Sequence, residues 1–230
     1  MERPSTDTLA GCLGRFPAFQ GLDPDDLAKL AERAHWQEYA QGAIIFLEGD
    51  MAPGLFHLHA GWLKIVKLSP DGREQILDVI GPGEIFNYLG VFASRPNPAT
   101  AIALEPAGVF LLRRDGVQRL LAKHPQIALR VVEAMADRLI ELTQMVADLS
   151  LHTVEARLAR LLLDRAEGDV VYRRRWTTQA EMAARLGTVP DVLSRVLRGL
   201  VEAGIVQVER QQIQILDRPG LAERAMVDVE

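Results

Sequence analysis

The chain has 230 residues, enough for one large domain or two modest ones. With 48% hydrophobic and 25% charged residues, it has the composition of an ordinary globular protein. No apolar run approaches the ~20 residues of a membrane span, and the first residues lack the apolar core of a signal peptide, so we expect a cytoplasmic protein. Cys12 is the only cysteine, which excludes an internal disulfide and any iron–sulfur or zinc site built mainly of cysteines.

The net charge of −5 is unevenly distributed along the chain. After residue 149, 12 arginines balance 12 acidic residues, so residues 1–149 carry the whole deficit. Residues 150–210 are slightly positive, with 10 arginines against 8 acidic residues. The overall charge argues weakly against non-specific binding of nucleic acid.

The first half of the chain is typical of a β-domain. Asp23 and Pro24 begin a short helix, and from about Trp36 the sequence turns into short β-type runs separated by glycines. Ser69-Pro70-Asp71-Gly72 predicts a turn between the strands Trp62–Leu68 and Glu74–Ile80. Many short strands at near-regular spacing indicate an antiparallel barrel or roll, which has a natural cavity for a small ligand.

A long amphipathic helix follows a short helix near Arg114–Lys123 and begins at Pro125. Its apolar residues repeat with a heptad spacing over about three heptads. The repeat consists of Ala128, Val132, Met135, Leu139, Leu142, Val146 and Leu149. So narrow a stripe suits a partner helix, most simply the same helix of a second copy. The alternative is an amphipathic helix that packs on its own domain.

The residues from Thr178 to Gly204 predict a helix-turn-helix, after a helix that we expect over 154–167 with Thr153 as its N-cap. Thr178 and Glu181 have the spacing of a capping box. Gly187 can adopt the positive φ of the tight turn, and Pro190 suits the first turn of the second helix.

One face of the second helix carries polar residues suited to DNA. An arginine can grip guanine with two hydrogen bonds, an acid can accept from cytosine, and a serine can reach a phosphate or a base. An alternating hairpin after Gly204 predicts a wing, and Arg173, Arg174 and Arg175 could touch phosphate. The alternative is a generic helical hairpin with a solvated polar face. The predicted DNA contacts are Thr178, Gln179, Pro190, Asp191, Ser194, Arg195 and Arg198.

Together these features resemble the Crp/Fnr superfamily of bacterial transcription regulators. The overall sequence pattern is similar to its Fnr and dissimilatory nitrate respiration branch. The resemblance implies an α+β protein: an antiparallel effector-sensing β-roll (1–124), a dimerisation helix (125–149) and a winged helix-turn-helix (150–230). It implies a homodimer that binds palindromic double-stranded DNA and contacts RNA polymerase. Asp191, Ser194 and Arg195 match the E-x-x-S-R pattern that reads TTGAT-like half-sites, with Asp in place of Glu.

The cyclic-phosphate cassette of the cAMP-binding branch is altered here. The resemblance places Tyr88 where that branch has an acid, and Pro98 or Ala99 where it has an arginine. An uncompensated phosphate in a partly buried pocket is costly, so we expect an effector other than cAMP. A cyclic-nucleotide-responsive regulator of the same superfamily is the alternative. The predicted effector pocket comprises Asn87, Tyr88, Leu89, Ala99, Thr100, Met135 and Leu139.

The likeness to the nitrate respiration branch makes haem, nitric oxide or a redox signal the expected input, and an organic metabolite is the alternative. Haem needs an axial ligand, for which histidines are the candidates, and His124 has the further interest that it directly precedes the long helix. The candidates are His35, His57, His59 and His124, with His152 further along the chain.

A different class of protein also accounts for two histidines. His57 and His59 point to one face of a strand, as metal ligands do in cupin-like metalloenzymes. Such sites add a glutamate a few residues on and a distant histidine, which the later strands lack. We therefore expect a regulator and not an enzyme.

Overall fold

The computed structural model describes residues 2–88, 92 and 95–226. The chain divides into two compact units. The first comprises the chain up to Lys67 together with Leu77–Ile140, and the second comprises Leu68–Ile76 and the residues from Glu141 onward. Among the described helices, none combines the length and apolarity that crossing a bilayer requires.

The predicted roll is present as antiparallel strands. They are β1 (His35–Tyr39), β2 (Ile44–Phe46), β3 (Gly54–Ala60), β4 (Leu63–Leu68), β5 (Glu74–Ile80), β6 (Ile85–Phe86), β7 (Thr100–Ala103) and β8 (Ala107–Arg113). They form two four-stranded sheets, in the orders β1-β8-β3-β6 and β2-β7-β4-β5. The predicted turn joins β4 to β5, where the Gly72 N–H donates to the Ser69 carbonyl at 2.9 Å.

Each face of the β1-β8-β3-β6 sheet packs into its own apolar core. Phe56 and Leu58 on β3 lie in a core inside the roll, where the rings of Phe56 and Phe86 stack 5.3 Å apart. Leu55 of the same strand joins a second core formed with the helices of this unit. Residues along β3 alternate between the two cores because side chains alternate across a strand.

The helices of the first unit are α1 (Thr6–Arg15), α2 (Pro24–Glu32) and α3 (Arg114–Lys123), followed by the long helix α4 (Pro125–Leu151). Asp23 caps α2 as predicted, because its carboxylate accepts from the Asp25 N–H at 2.9 Å. The sequence reasoning missed α1, although Ser5 caps it and Leu9 and Leu13 bury one face with the spacing of a helix.

The second unit contains the helices α5 (Val154–Arg165), α6 (Gln179–Arg185), α7 (Pro190–Glu202) and α8 (Arg218–Ala225), and the strands β9 (Val170–Tyr172), β10 (Val206–Val208) and β11 (Gln212–Ile215). Thr153 caps α5 as predicted, but the helix ends at Arg165, two residues before the predicted end. The wing is the antiparallel pair β10 and β11, with Val206 opposite Ile215. β9, which sequence reasoning missed, extends this sheet by pairing with β11.

Candidate functional site

The first helix of the helix-turn-helix begins where the sequence predicts. Thr178 is the N-cap of α6, and its Oγ1 accepts from the Glu181 N–H at 3.1 Å. The Thr178 N–H donates to the Trp176 carbonyl at 2.8 Å. The Thr178 side chain therefore fixes the start of α6 as the predicted N-cap.

The turn between α6 and α7 depends on two residues that restrict the backbone. Gly187 adopts a φ of 62°, a left-handed conformation that side chains with a Cβ rarely adopt. Pro190 is the first residue of α7, where its missing N–H is not needed. The predicted turn is confirmed at both positions.

The two sides of α7 differ sharply in exposure. Leu193, Leu197 and Leu200 are buried in the core of this unit, together with Met182 and Leu186 of the preceding helix and turn. On the other side, Asp191, Arg195 and Arg198 are exposed. A helix anchored along one face, with two exposed guanidinium groups on the other, has the arrangement needed to enter a DNA major groove.

A side-chain contact joins the two helices on their polar side. The Ser194 hydroxyl donates to Oε1 of Gln179 at 3.1 Å. The contact brings together two predicted DNA-contact residues that lie fifteen positions apart in the sequence. Sequence reasoning did not find this pairing, because no local spacing signals it.

The three consecutive arginines before α6 occupy different environments. The Arg173 Nη2 donates to the Thr177 carbonyl at 3.1 Å, so this side chain stabilises the loop before the helix. Arg174 and Arg175 are exposed. Arg174 and Arg175 are therefore better candidates for a phosphate contact than Arg173, whose side chain is held by the loop.

The seam of α4 is exposed within the single chain. Val132, Leu139 and Val146 are 59%, 65% and 63% exposed, and Met135 is 36% exposed. The buried residues of this helix are Ile127 and Val131, near its beginning. An apolar stripe of this length left open to water indicates an interaction surface.

Around the predicted effector pocket, buried amides are bonded to each other and to the backbone. Asn97 is 2% exposed, and its Nδ2 donates to the Leu47 carbonyl at 3.3 Å. Its Oδ1 accepts from Nδ2 of Asn87, which has a φ of 65°, at 3.2 Å. Thr100 is also buried, and its Oγ1 accepts from the Glu48 N–H at 3.0 Å. Ala99 is buried beside it.

Tyr88, which the sequence predicts to line the effector pocket, packs against the core formed with the helices of the first unit. Its ring stacks on Phe16 at 6.2 Å. Burial, with a smaller contribution from Glu84, raises the pKa of its hydroxyl well above the usual value. Leu89 lies outside the described residues.

The histidines that the sequence offers as haem ligands lie in different surroundings. His124 Nε2 is 2.6 Å from the Asp26 carboxylate, and His35 is exposed on β1. His57 is 1% exposed, and neither of its ring nitrogens has a hydrogen-bond partner among the residues that the structure describes. The rings of His59 and Phe110 each lie 6.3 Å from its own. Haem ligation by these residues therefore stays a prediction, as does ligation by His152.

The cupin interpretation gains no further ligands. Within the described ranges 2–88, 92 and 95–226, no three histidine, cysteine or acidic side chains group as a metal site would require. His57 and His59 lie on the same strand with ring centroids 6.3 Å apart, but the ring of His57 is 1% exposed and lies 6.3 Å from the ring of Phe110. The described residues therefore add no support to the cupin interpretation.

Comparison with known proteins supports the two halves separately. The cyclic nucleotide-binding domain model matches residues 36–124, and the Crp-like helix-turn-helix domain model matches residues 156–224. The chain is 28% identical, over 93% of its length and 98% of the relative's, to a CRP-like cAMP-activated global transcriptional regulator of Mycobacterium tuberculosis. It is 28% identical to the cyclic AMP receptor protein of Thermus thermophilus, over 91% of this chain and 96% of that one.

A solved structure shows the same fold. FixK2 from Bradyrhizobium japonicum superposes with a TM-score of 0.72 at 22% identity, covering 86% of this chain and 98% of that one. A roll of the cyclic nucleotide-binding type with a Crp-like helix-turn-helix defines a DNA-binding regulator with an effector-binding domain. The chain belongs to the Crp/Fnr family of transcription regulators, and members of this family are regulators and not enzymes.

Proposed function

We propose that the protein is a homodimeric, sequence-specific regulator that reads a two-fold-related DNA site with one α7 from each subunit. The observation that carries the proposal is the exposed polar face of α7 opposite its buried leucines. In this proposal the protein works in the cytoplasm, where it meets DNA and RNA polymerase.

In this proposal, Arg195 and Asp191 contact the DNA bases. The Arg195 guanidinium can donate two hydrogen bonds to guanine O6 and N7, and the Asp191 carboxylate can accept from cytosine N4. Ser194 is held by Gln179, which places both side chains at the same face. These contacts agree with TTGAT-like half-sites, which contain a G·C pair.

Dimerisation follows from the exposed seam of α4. Three of its apolar side chains are more than half exposed within one chain, and a second copy of the helix would cover them. A two-fold axis along this seam gives two recognition helices for half-sites about 34 Å apart, one turn of the duplex.

We further propose that the effector binds in the roll and is not cAMP. The relatives' names give cAMP to those proteins, but two features of this chain disfavour a cyclic phosphate. Pro98 or Ala99 replaces the expected arginine, and the buried amide of Asn97 is bonded to Asn87 and to the backbone. A haem-, nitric oxide- or redox-related signal remains the effector class that we propose.

The test is fluorescence anisotropy of a labelled duplex with two TTGAT-type half-sites, with and without cAMP and with haem-reconstituted protein under nitric oxide. We expect specific binding to this duplex, with no change on adding cAMP. An absorption spectrum with a Soret band at one-to-one stoichiometry would support haem. A large gain in DNA affinity with cAMP contradicts the effector proposal, and absence of specific binding under every condition contradicts the DNA proposal.

A further inference from the structure

A groove on the first unit, away from the roll's interior, is lined by basic side chains from two helices. Lys29 and Arg33 come from the end of α2, and Arg119 and Lys123 come from α3. Leu30 and Leu120 lie beneath them. Four cations thus converge on one concave surface in the part of the chain that carries the whole negative net charge.

The one acidic residue that lines the groove is already engaged. Asp26 is 6% exposed, and its two oxygens accept from Lys123 Nζ at 2.6 and 2.7 Å. His124 Nε2 lies 2.6 Å from the same carboxylate. These contacts lower the pKa of Asp26, so the group is a carboxylate that anchors Lys123 and whose charge is compensated.

The other cations keep an excess of positive charge. Arg119 forms an ion pair with Asp115 at 2.8 Å, but Asp115 also lies 3.7 Å from the guanidinium of Arg113. Lys29 is 4.0 Å from Asp26, a carboxylate that Lys123 already neutralises. Arg33 forms no ion pair with the acidic residues of the described ranges. Asp26 and Asp115 together offset only part of the charge of the four groove cations, so these cations still repel one another, and an anion in the groove would reduce this repulsion.

We propose that the groove between α2 and α3 binds a small phosphate-type oxyanion, free or as the terminal group of a small phosphorylated molecule. Arg33 and Arg119 offer planar forks that can donate two hydrogen bonds to one oxyanion, and Lys29 adds a mobile point charge. Leu30 and Leu120 are only 6% and 8% exposed, so they offer no apolar anchor of the kind that forms the core of a protein–protein interface. We therefore infer a small occupant and not a protein.

The experiment is calorimetric titration of the full-length protein, without DNA, with tripolyphosphate and separately with ATP. We expect saturable binding of one molecule per chain, at least tenfold weaker in the double variant Arg33→Gln/Arg119→Gln. The matched control is Arg15→Gln/Arg73→Gln, which removes the same charge from exposed positions outside the groove and should bind as the wild type does. Equal affinities for the two ligands indicate recognition of the phosphate chain alone, and tighter binding of ATP indicates a phosphorylated molecule as the source.

The DNA-binding face is the other place where polyphosphate could bind. The variant Arg195→Ala/Arg198→Ala separates the two, because it should keep tripolyphosphate binding and lose DNA binding. Thermal unfolding of every variant verifies that the fold is retained. The proposal is overturned if binding is not saturable, if the control pair weakens it as much as the groove pair does, or if the α7 variant abolishes it. None of these results depends on whether the protein regulates transcription.

Discussion

His57 is a titratable residue whose ring is buried, so its protonation is coupled to folding. Its ring is 1% exposed, and neither nitrogen has a hydrogen-bond partner in the described part of the chain. Burial, followed by the charge of His59, lowers its pKa from 6.5 to about 4. The folded protein therefore keeps the ring neutral while the unfolded chain takes up a proton near pH 6.5. Folding stability should accordingly decrease as the pH falls from 6.5 towards 4, because the unfolded state binds more protons.

The predicted loss between pH 7 and pH 5 is about 2 kcal/mol of unfolding free energy, measured by urea denaturation. His57→Phe keeps an aromatic ring next to Phe110 and should remove most of this loss. His35→Phe, at an exposed position of β1, is the control and should leave it in place. If His57→Phe retains the full pH dependence, His57 is not its source.

Arg195 tests direct base reading at the same scale. Arg195→Ala should cost about 1–3 kcal/mol at a cognate site and relax the preference at one base pair, since a bidentate contact to guanine is lost. The measurement is DNA affinity for a set of duplexes with single substitutions in the half-site. A loss that is equal for all sequences would instead assign Arg195 to a phosphate.

At the scale of elements, the exposed apolar stripe of α4 predicts that two copies of this helix pack against each other. Leu139→Glu with Val146→Glu should give monomers, because four charges would face one another across the dimer seam. Sedimentation velocity reports the mass, and circular dichroism should be unchanged since both side chains are exposed within one chain. Gln144→Glu, at an exposed position on the side of the helix away from the heptad stripe, is the control and should remain dimeric. Dimers of the double variant would show that the interface lies elsewhere.

At the scale of the whole molecule, an acidic protein has to bind an acidic polymer. The net charge of −5 opposes non-specific association, so binding depends on the local arginines of the second unit. Arg175→Gln should weaken binding to all duplexes to a similar degree. It should also reduce the slope of log affinity against log salt concentration by about 0.9 per subunit, the value for one lost phosphate contact. An unchanged slope would remove Arg175 from the interface.

Elements that depend on neighbours in the sequence could be predicted well. The heptads of α4, the turn glycine Gly187, Pro190 and the alternation in the wing are local signals, and each corresponds to the structure. The family could be recognised for the same reason, because its helix-turn-helix is a run of local signals. α1 was also local, with Ser5 as cap, and was overlooked.

Contacts between distant residues were decided by the tertiary structure. β9 is three residues long and becomes a strand only because β11 pairs with it. Tyr88 packs on Phe16, Ser194 reaches Gln179, and Asp26 gathers Lys123 and His124 from almost a hundred residues away. By itself the sequence determined most of the helices and strands and the exposed polar face of α7, since periodicity and caps act within a few residues. The burial of His57 and the basic groove required the folded chain, because packing brings together side chains that no spacing connects.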